Sequence, residues 1–321
     1  MQAVSLFAGC GGADLGILGG FNYLDKYYCK NKIRIIHASD IDVKAINTYN
    51  KNFKNTGIVE DISKISLKNE NIDLVVGGFP CQSFSSVNPT KNPNDTRSQL
   101  YNEMIRIVKE NKPKFVIGEN VRGFYSLHDG KYFKDYVEKL TNAGYNVHHQ
   151  ILNSADFGIP QLRKRLIIVG IRKDFKIDFK FPKAMFGPNS KSKKSYIPIK
   201  KVVKNLSKVD KKYYFSEKAV AGVKKAKPNM KRALAQDLNL PSLTITSHLA
   251  KVSLNSRDPV LLVDQQKEIY RRFTPLEAAR IQSFPDNFEF EGSEADAYRQ
   301  IGNAIPPVLM WHVIRQLLKS M

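Results

Sequence analysis

Short apolar runs alternate with helical patterns over the first 172 residues of the chain. Strands that alternate with helices in this way are typical of βαβ units and a parallel sheet. The pattern therefore predicts an α/β domain with a doubly wound, mostly parallel sheet. The predicted strands are Ala3–Phe7, Arg34–Ala38, Leu74–Val76, Phe115–Gly118, Tyr145–Leu152 and Leu166–Ile171, and the predicted helices are the segment after Gly12, Val43–Phe53, Leu100–Glu110 and Asp135–Ala143.

The regular pattern ends at residue 172. Residues 173–270 are rich in Lys, Pro, Asn and Ser and show no regular apolar period, which predicts a second, smaller and irregular domain. Order returns afterwards, where Thr274, a proline and Glu277 have the spacing of a helix N-terminus. An apolar helix over Pro307–Leu318 is expected to pack back on the first domain. The predicted units are therefore 1–172, 173–270 and a return segment, 271–321, that completes the first.

The chain carries a formal net charge of +21, and most of the excess lies in one block. Residues 173–232 hold 18 Lys and 1 Arg against 3 Asp and 1 Glu, a net +15. Such a concentration favours a face that contacts nucleic-acid phosphates. The alternative is a solvated, lysine-rich surface.

The three cysteines, Cys10, Cys29 and Cys81, are widely spaced and form no C-x-x-C pair. This spacing argues against a structural zinc site, a disulfide framework and the zinc deaminases, whose P-C-x-x-C motif is missing. Free thiols fit a reducing cytoplasm. Neither a signal peptide nor an apolar run long enough for a membrane helix is visible, so we expect a cytoplasmic protein without membrane contact.

Cys81 lies in the loop Gly-Phe-Pro-Cys-Gln-Ser that follows a predicted buried strand. Loops at the carboxyl edge of a parallel sheet hold the ligands of α/β proteins, so Cys81 is placed to act as a nucleophile. Glu119 follows the next strand and is expected to face the same crevice, while Arg163 and Arg165 alternate and can point to one side. The alternatives are an inert buried thiol, a paired surface glutamate and a solvated basic turn.

The first predicted strand runs into a glycine-rich turn that includes Gly9, Gly11 and Gly12. Its Gly-x-Gly-Gly pattern lacks the third glycine of the dinucleotide fingerprint, so an adenosine ligand other than a nicotinamide or flavin is favoured. Asp40 ends the second strand, where a carboxylate can accept hydrogen bonds from ribose hydroxyls. A simple tight turn, and a helix N-cap role for Asp40 or Asp42, are the alternatives.

Taken together, these segments resemble the cytosine-5 DNA methyltransferases of bacterial restriction–modification type. The resemblance covers nearly the whole chain except residues 173–270, which in that family form the variable target-recognition domain. The short segment Thr244-Ile245-Thr246 is similar to one that the family keeps in that domain. The matching blocks are Phe7–Gly12, Asp40–Asp42, Asp61-Ile62, Gly78–Ser85, Glu119–Val121, Gln161-x-Arg163-x-Arg165, Arg272–Pro285 and Gly302–Pro306.

The resemblance implies a Rossmann-like methyltransferase fold and S-adenosylmethionine as cofactor, without a metal. It implies that Cys81 attacks C6 of a flipped cytosine, Glu119 acts at N3 and Arg165 holds O2, with Arg163 supporting Glu119 or a phosphate. Residues 83–99 become a candidate lid. Ile41 departs from the larger, often aromatic residue usual at its position, so stacking on adenine is expected to be weaker. The implied cofactor-binding residues are Phe7, Gly9, Cys10, Gly11, Gly12, Asp40, Ile41, Asp61, Ile62, Pro80, Leu100, Asn303 and Ala304.

The expected partner is double-stranded DNA, bound by a monomer in a bacterial or phage-encoded system that includes a cognate restriction endonuclease or lacks one. One branch of the family methylates transfer RNA instead, but its Cys-Phe-Thr motif is absent from the variable region here. A catalytically silent DNA-binding regulator is the third alternative. Intact Cys81, Glu119, Arg163 and Arg165 argue against that alternative.

Overall fold

The fold is described from a computed structural model. It describes residues 1–54, 56–67, 70–80, 100–203, 205–226, 235–251 and 260–321. Cys81 and the candidate lid over residues 83–99 lie outside these ranges.

Over the first 172 residues, the predicted strands and helices are present in the predicted order, together with further short elements that the apolar pattern did not predict. The strands are β1 (Gln2–Leu6), β2 (Phe21–Tyr23), β3 (Lys26–Tyr28), β4 (Arg34–Asp40), β5 (Gly57–Val59), β6 (Leu74–Gly77), β7 (Phe115–Val121), β8 (Tyr145–Asn153), β9 (Gln161–Leu162), β10 (Lys164–Arg172), β11 (Ser242–Leu243), β12 (Leu261–Asp264) and β13 (Ile269–Arg271). The α-helices are α1 (Gly12–Leu18), α2 (Val43–Phe53), α3 (Tyr101–Asn111), α4 (Arg122–Ser126), α5 (Lys131–Asn142), α6 (Glu217–Ala226), α7 (Pro275–Ile281), α8 (Glu294–Asn303) and α9 (Pro307–Ser320). Short 3-10 helices cover Ile62–Lys64, Leu127–Gly130, Ser154–Phe157, Ile199–Lys201, Lys211–Tyr213 and Leu249–Lys251.

Seven strands form the central sheet in the order β5-β4-β1-β6-β7-β10-β8. The first five are parallel neighbours, and β10 runs antiparallel to both β7 and β8. The sheet is thus mostly parallel, and the predicted doubly wound fold is confirmed. The chain builds outward from β1 through β4 to β5 and then returns to place β6 on the other side of β1, which makes the β1/β6 boundary a topological switch point.

Both faces of the sheet are covered, so successive strand residues are buried on opposite sides. Ala3 and Val76 pack with α1, α2 and α9 on one face. Val4 and Val75 pack with α3 and α5 on the other. The C-terminal helix α9 therefore packs on the first domain, as its apolar sequence predicts.

A third apolar cluster joins residues from the basic region to the C-terminal part of the chain. Ile199, Ile245 and Leu261 are buried in it together with Phe273 and Ile301. Residues on both sides of position 270 therefore share one core.

Some element bounds differ from the predicted ones. The strand predicted to end at Gly118 continues to Val121, because β10 pairs with it from Ile171 to Arg165. Glu119 is consequently inside β7 and not in the loop after it. The basic region, predicted to be irregular, contains helix α6, and the hairpin of β2 and β3 was not predicted.

Candidate active site

Two loops meet at the switch point of the sheet, one after β1 and one after β6. In open α/β sheets, ligands bind in the crevice at this point, outside the carboxyl ends of the strands. The glycine-rich turn follows β1, and the segment Gly78–Pro80 follows β6. The sequence motifs at the ends of β4, β7 and β10 supply the neighbouring side chains.

The glycine-rich turn is held by the strand beside it and by the C-terminal part of the chain. The Gly9 amide donates a 2.9 Å hydrogen bond to Asp40 Oδ2, and the Ala8 amide donates one of the same length to the Ser39 carbonyl. A Cβ on Gly12 would lie only 2.6 Å from the Ile305 carbonyl oxygen, so only glycine fits there. The first and last matching motifs are thus in contact.

Asp40 is both a structural anchor and an available acceptor. Its Oδ1 accepts from the Asp42 amide at 2.9 Å, in addition to the Gly9 bond on Oδ2. A carboxylate has about four lone-pair sites, so each oxygen can accept one more hydrogen bond. Burial raises the pKa of Asp40, and the backbone hydrogen bonds from Asp42 and Gly9 oppose that rise. Asp42, not Asp40, caps helix α2 by accepting from Lys44 and Ala45.

The residues predicted to recognise an adenine lie at the ends of β4 and β5. Ile41 follows β4 and is 70% exposed, so its apolar side chain is accessible to a ligand. Asp61 caps the following 3-10 helix, and its Oδ1 accepts from both the amide and the hydroxyl of Ser63. These bonds lower the pKa of Asp61. Ile62 is buried under it.

Glu119 and Arg165 form a buried ion pair between β7 and β10. Arg165 Nε lies 3.1 Å from Glu119 Oε1, and Glu119 is only 9% exposed. Burial raises the pKa of the Glu119 carboxyl, and the positive charges of Arg165 and Arg163 oppose that rise. The structure therefore pairs Glu119 directly with Arg165, a contact that the sequence analysis did not predict.

The segment that leads to Cys81 reaches this ion pair. A Cβ on Gly78 would lie 3.5 Å from Glu119 Oε2 and 3.3 Å from Ile305 Cδ1. Asn120 Nδ2 donates a 3.1 Å hydrogen bond to the Phe79 carbonyl, two residues before Cys81. The described part of the loop is thus fastened to β7 beside Glu119.

Arg163 has different contacts from Arg165. It is 2% exposed, and its Nη1 donates to the Ile245 carbonyl at 3.0 Å. Its Nη2 donates to the carbonyls of Gly302 and Ala304, both at 3.1 Å. Arg163 therefore bonds backbone groups from two distant segments and affects Glu119 only through its charge.

The remaining predicted cofactor residues are spread around the crevice. Cys10 Sγ points to the Gln300 carbonyl at 3.8 Å, and burial raises the pKa of its thiol to about 12. Leu100 is the N-cap residue of α3, and Asn303 is the exposed last residue of α8. The Cys10 side chain thus belongs to the core, and only its backbone faces the turn. Phe7 directly follows β1 with φ +54°, and Pro80 and Ala304 flank the crevice from the β6 and α8 sides.

Sequence reasoning gave no role to three buried polar residues near the site. Gln161 and Gln282 are fully buried and bonded to each other, with Gln161 Nε2 2.6 Å from Gln282 Oε1. Asp14 is also fully buried, in the first turn of α1. The sequence signal for Asp14 is a polar side chain in the first turn of an apolar helix, and the signal for Gln161 and Gln282 is their place in two of the matching blocks.

Among the residues that the structure describes, no helix is long and apolar enough to cross a bilayer. No cluster of three or more His, Cys, Asp or Glu side chains with the geometry of a metal site occurs among those residues.

Known proteins are similar to this chain along its whole length. The chain is 31% identical over 354 aligned positions to the Type II methyltransferase M.FnuDI of Fusobacterium nucleatum, covering 100% of this chain and 95% of that protein. It is 30% identical over 352 positions to the Type II methyltransferase M.NgoPII of Neisseria gonorrhoeae, covering 100% and 96%.

Solved structures share the fold. The Schizosaccharomyces pombe Dnmt2 methyltransferase superposes with a TM-score of 0.77 at 21% identity, covering 99% of this chain and 98% of that one. The Entamoeba histolytica methyltransferase EhMeth superposes with a TM-score of 0.75 at 22% identity, with the same coverage. The sequence model of C-5 cytosine-specific DNA methylases matches residues 1–319, and the chain belongs to that family.

Proposed function

We propose that this chain transfers a methyl group from S-adenosylmethionine to C5 of a cytosine flipped out of duplex DNA. The observation that carries the proposal is the buried Glu119–Arg165 pair beside the segment leading to Cys81. A carboxyl whose pKa burial raises, next to a guanidinium, places a group that can exchange a proton and a planar cation beside a single ring. That combination suits the N3 and O2 edge of cytosine.

The protein's own groups would prepare the base for reaction. The Cys81 thiolate adds to C6, forming the S–C6 bond while the ring π-electrons shift so that C5 becomes nucleophilic. Glu119 donates or shares its proton at N3, and Arg165 donates to O2, so the charge gained by the ring is stabilised. Loss of the C5 proton to solvent, departure of the Cys81 thiolate and return of the N3 proton to the Glu119 carboxylate then restore the aromatic ring.

The crevice fits the family's cofactor on three grounds. Among the described residues, no heavy atom lies within 4 Å of the place where a Cβ on Gly9 would be, so the turn leaves open space. Asp40 would accept from the ribose, Ile41 would pack on the adenine, and Asp61 would accept from its amino group. Asn303 would close the site from α8. When bound, S-adenosylmethionine supplies an electrophilic sulfonium methyl group.

The same proposal assigns roles to the three predicted units. Residues 1–172 and 271–321 would carry donor and catalytic groups, and residues 173–270 would recognise the DNA site. The lysine-rich block would contact phosphates, while a few side chains would read base edges. The curated relatives are named Type II methyltransferases. We propose that this chain acts in bacterial or phage-associated DNA modification as a monomer, with or without a cognate endonuclease.

The proposal is tested by incubating the protein with tritium-labelled S-adenosylmethionine and duplex DNA. We expect label in DNA, its loss in Cys81→Ala, and its retention in Cys29→Ala, because Cys29 is exposed and belongs to none of the predicted site motifs. Transfer RNA is included as a second acceptor. Label in transfer RNA alone would refute the DNA assignment, and tight DNA binding without any transfer would favour a silent regulator.

A further inference from the structure

A buried polar junction joins the predicted target-recognition segment to the C-terminal end of α8. Its members are contributed by residues far apart in the chain and are almost fully buried. Gln161 and Arg163 come from β9 and the residue after it, and both bond to Ile245. The Ile245 amide donates to Gln161 Oε1 at 2.8 Å, and its carbonyl accepts from Arg163 Nη1 at 3.0 Å. Both backbone polar groups of one residue are therefore held by one short stretch.

The other side of the junction is the end of α8. Arg163 Nη2 donates to the carbonyls of Gly302 and Ala304, which flank Asn303. Gln282 Nε2 donates to the same Ala304 carbonyl at 2.6 Å, and Gln282 is bonded to Gln161. The two segments bonded by Arg163 are thus also linked through a pair of glutamines.

Direct packing adds to these bonds. A Cβ on Gly302 would lie 2.2 Å from the Thr246 carbonyl carbon and 2.3 Å from the Ser247 amide nitrogen. The backbone of residues 246–247 therefore lies against the backbone of α8, with no side chain between them. A shift of either segment by about 1 Å would break the short bonds or create overlap, since buried groups have no water to replace a lost partner.

We propose that Arg163 is a positioning residue that couples DNA binding to methyl-donor binding by holding residues 244–247 and 302–304 in one junction. The inference rests on the proposed function, in which the first segment meets DNA and Asn303 meets the donor. Arg163 suits this role because its planar fork reaches three carbonyls at once. Burial and the positive charge of Arg165 lower the pKa of Arg163 well below its usual range, and the negative charge of Glu119 opposes that shift.

The test measures the affinity of S-adenosylhomocysteine, the non-reactive product analogue, with and without a cognate duplex. We expect the duplex to raise that affinity at least about fivefold in the parent protein. Arg163→Lys keeps the positive charge but cannot reach all three carbonyls, so the coupling should fall below about twofold. The matched variant Arg165→Lys should lower the rate of methyl transfer and keep the parental coupling. A purely structural role for Arg163 would lower stability and leave the coupling ratio unchanged, and that result would overturn the proposal.

A second measurement uses the parent protein alone and does not depend on the folding of a variant. Saturating S-adenosylhomocysteine without DNA should slow hydrogen exchange of the Ile245 amide by at least about fivefold. The Gln266 amide, which is bonded to Asp264 in an exposed turn, should not change. Unchanged exchange at Ile245 would refute the coupling. Failure of the parent to bind the analogue at all would refute the proposed function as well, whereas binding without coupling refutes this inference alone.

Discussion

Replacing Gly302 by alanine tests the close contact between α8 and the segment after Thr244. Gly302 lies within α8 with an ordinary helical conformation, so alanine at this position should gain at most about 1 kcal/mol of helix propensity. The new Cβ, however, would lie 2.2 Å from the Thr246 carbonyl carbon and 2.4 Å from its oxygen. Carbon atoms prefer separations of about 3.5–4.0 Å, so the two backbones must move apart by more than about 1 Å.

The size of the effect follows from which atoms are in the way. The neighbours are backbone atoms, which cannot rotate aside as the end of a flexible side chain can. Overpacking of a well-packed core costs about 1–3 kcal/mol, and a backbone clash belongs at the upper end of that range. After subtraction of the propensity gain, we expect Gly302→Ala to lower the free energy of unfolding by about 2 kcal/mol.

Gly222→Ala is the matched control, because Gly222 is exposed in helix α6 and no described atom lies within 4 Å of a Cβ there. It should raise stability by up to about 1 kcal/mol. Urea denaturation followed by circular dichroism measures both variants, and methyl transfer at several DNA concentrations should show a raised KM for Gly302→Ala alone. A Gly302→Ala protein as stable as the parent would refute the inferred contact.

Three further substitutions test other parts of the molecule. Glu277→Gln breaks the buried ion pair between Glu277 and Arg271 and weakens the cap of α7. It should lower the free energy of unfolding, measured by urea denaturation, by about 3–5 kcal/mol. The control Glu289→Gln, at an exposed position, should lower it by less than about 1 kcal/mol. Burial raises the pKa of Asp14 to about 6, so the fold loses stability as Asp14 ionises between about pH 4 and above pH 6. Asp14→Asn should therefore stabilise the protein by up to about 3 kcal/mol at pH 8 and by much less at pH 4.5. An equal effect at both pH values would contradict this prediction. Asn120→Ala removes the hydrogen bond to the Phe79 carbonyl, two residues before Cys81. It should therefore reduce kcat at least about tenfold. The affinity for S-adenosylhomocysteine, measured by calorimetry, should stay within about twofold of the parental value.

Local signals in the sequence predicted local structure well. Helix α2 has the predicted bounds of Val43–Phe53, and the capping box of Thr274 and Glu277 is present with both of its hydrogen bonds. These features depend on residues within one turn of each other, so the sequence pattern contains what determines them. The mostly parallel, doubly wound sheet also followed from the alternation of strands and helices, whereas its edge strand β5 and the position of the switch point were not predicted.

The features that the sequence did not predict depend on contacts between residues far apart in the chain. β7 extends past Gly118 because it pairs with β10, whose residues are about 50 positions later in the chain, and no pattern near Gly118 encodes that partner. The contacts of Arg163 depend on Ile245 and on the end of α8, so sequence alone placed Arg163 beside Arg165 without showing that they serve different groups. The family resemblance implied different roles for the two arginines, and the structure adds the backbone contacts of Arg163.

Glu119, Arg163 and Arg165 together determine the charge of the crevice. Arginine keeps its charge when buried because its ordinary pKa is so high, so ionised Glu119 with Arg163 and Arg165 leaves one positive charge in excess. A proton on Glu119 makes the excess two. Either state favours an anionic nucleophile nearby, and a cationic neighbourhood lowers the pKa of a thiol. Protonation of Glu119 and ionisation of Cys81 should therefore assist each other. The proposed addition to C6 requires both, because the ring accepts a proton at N3 as it accepts the thiolate. Arg163 would thus act in two ways through one buried position, by its charge on the reacting groups and by its hydrogen bonds on the segments that bring DNA and donor together.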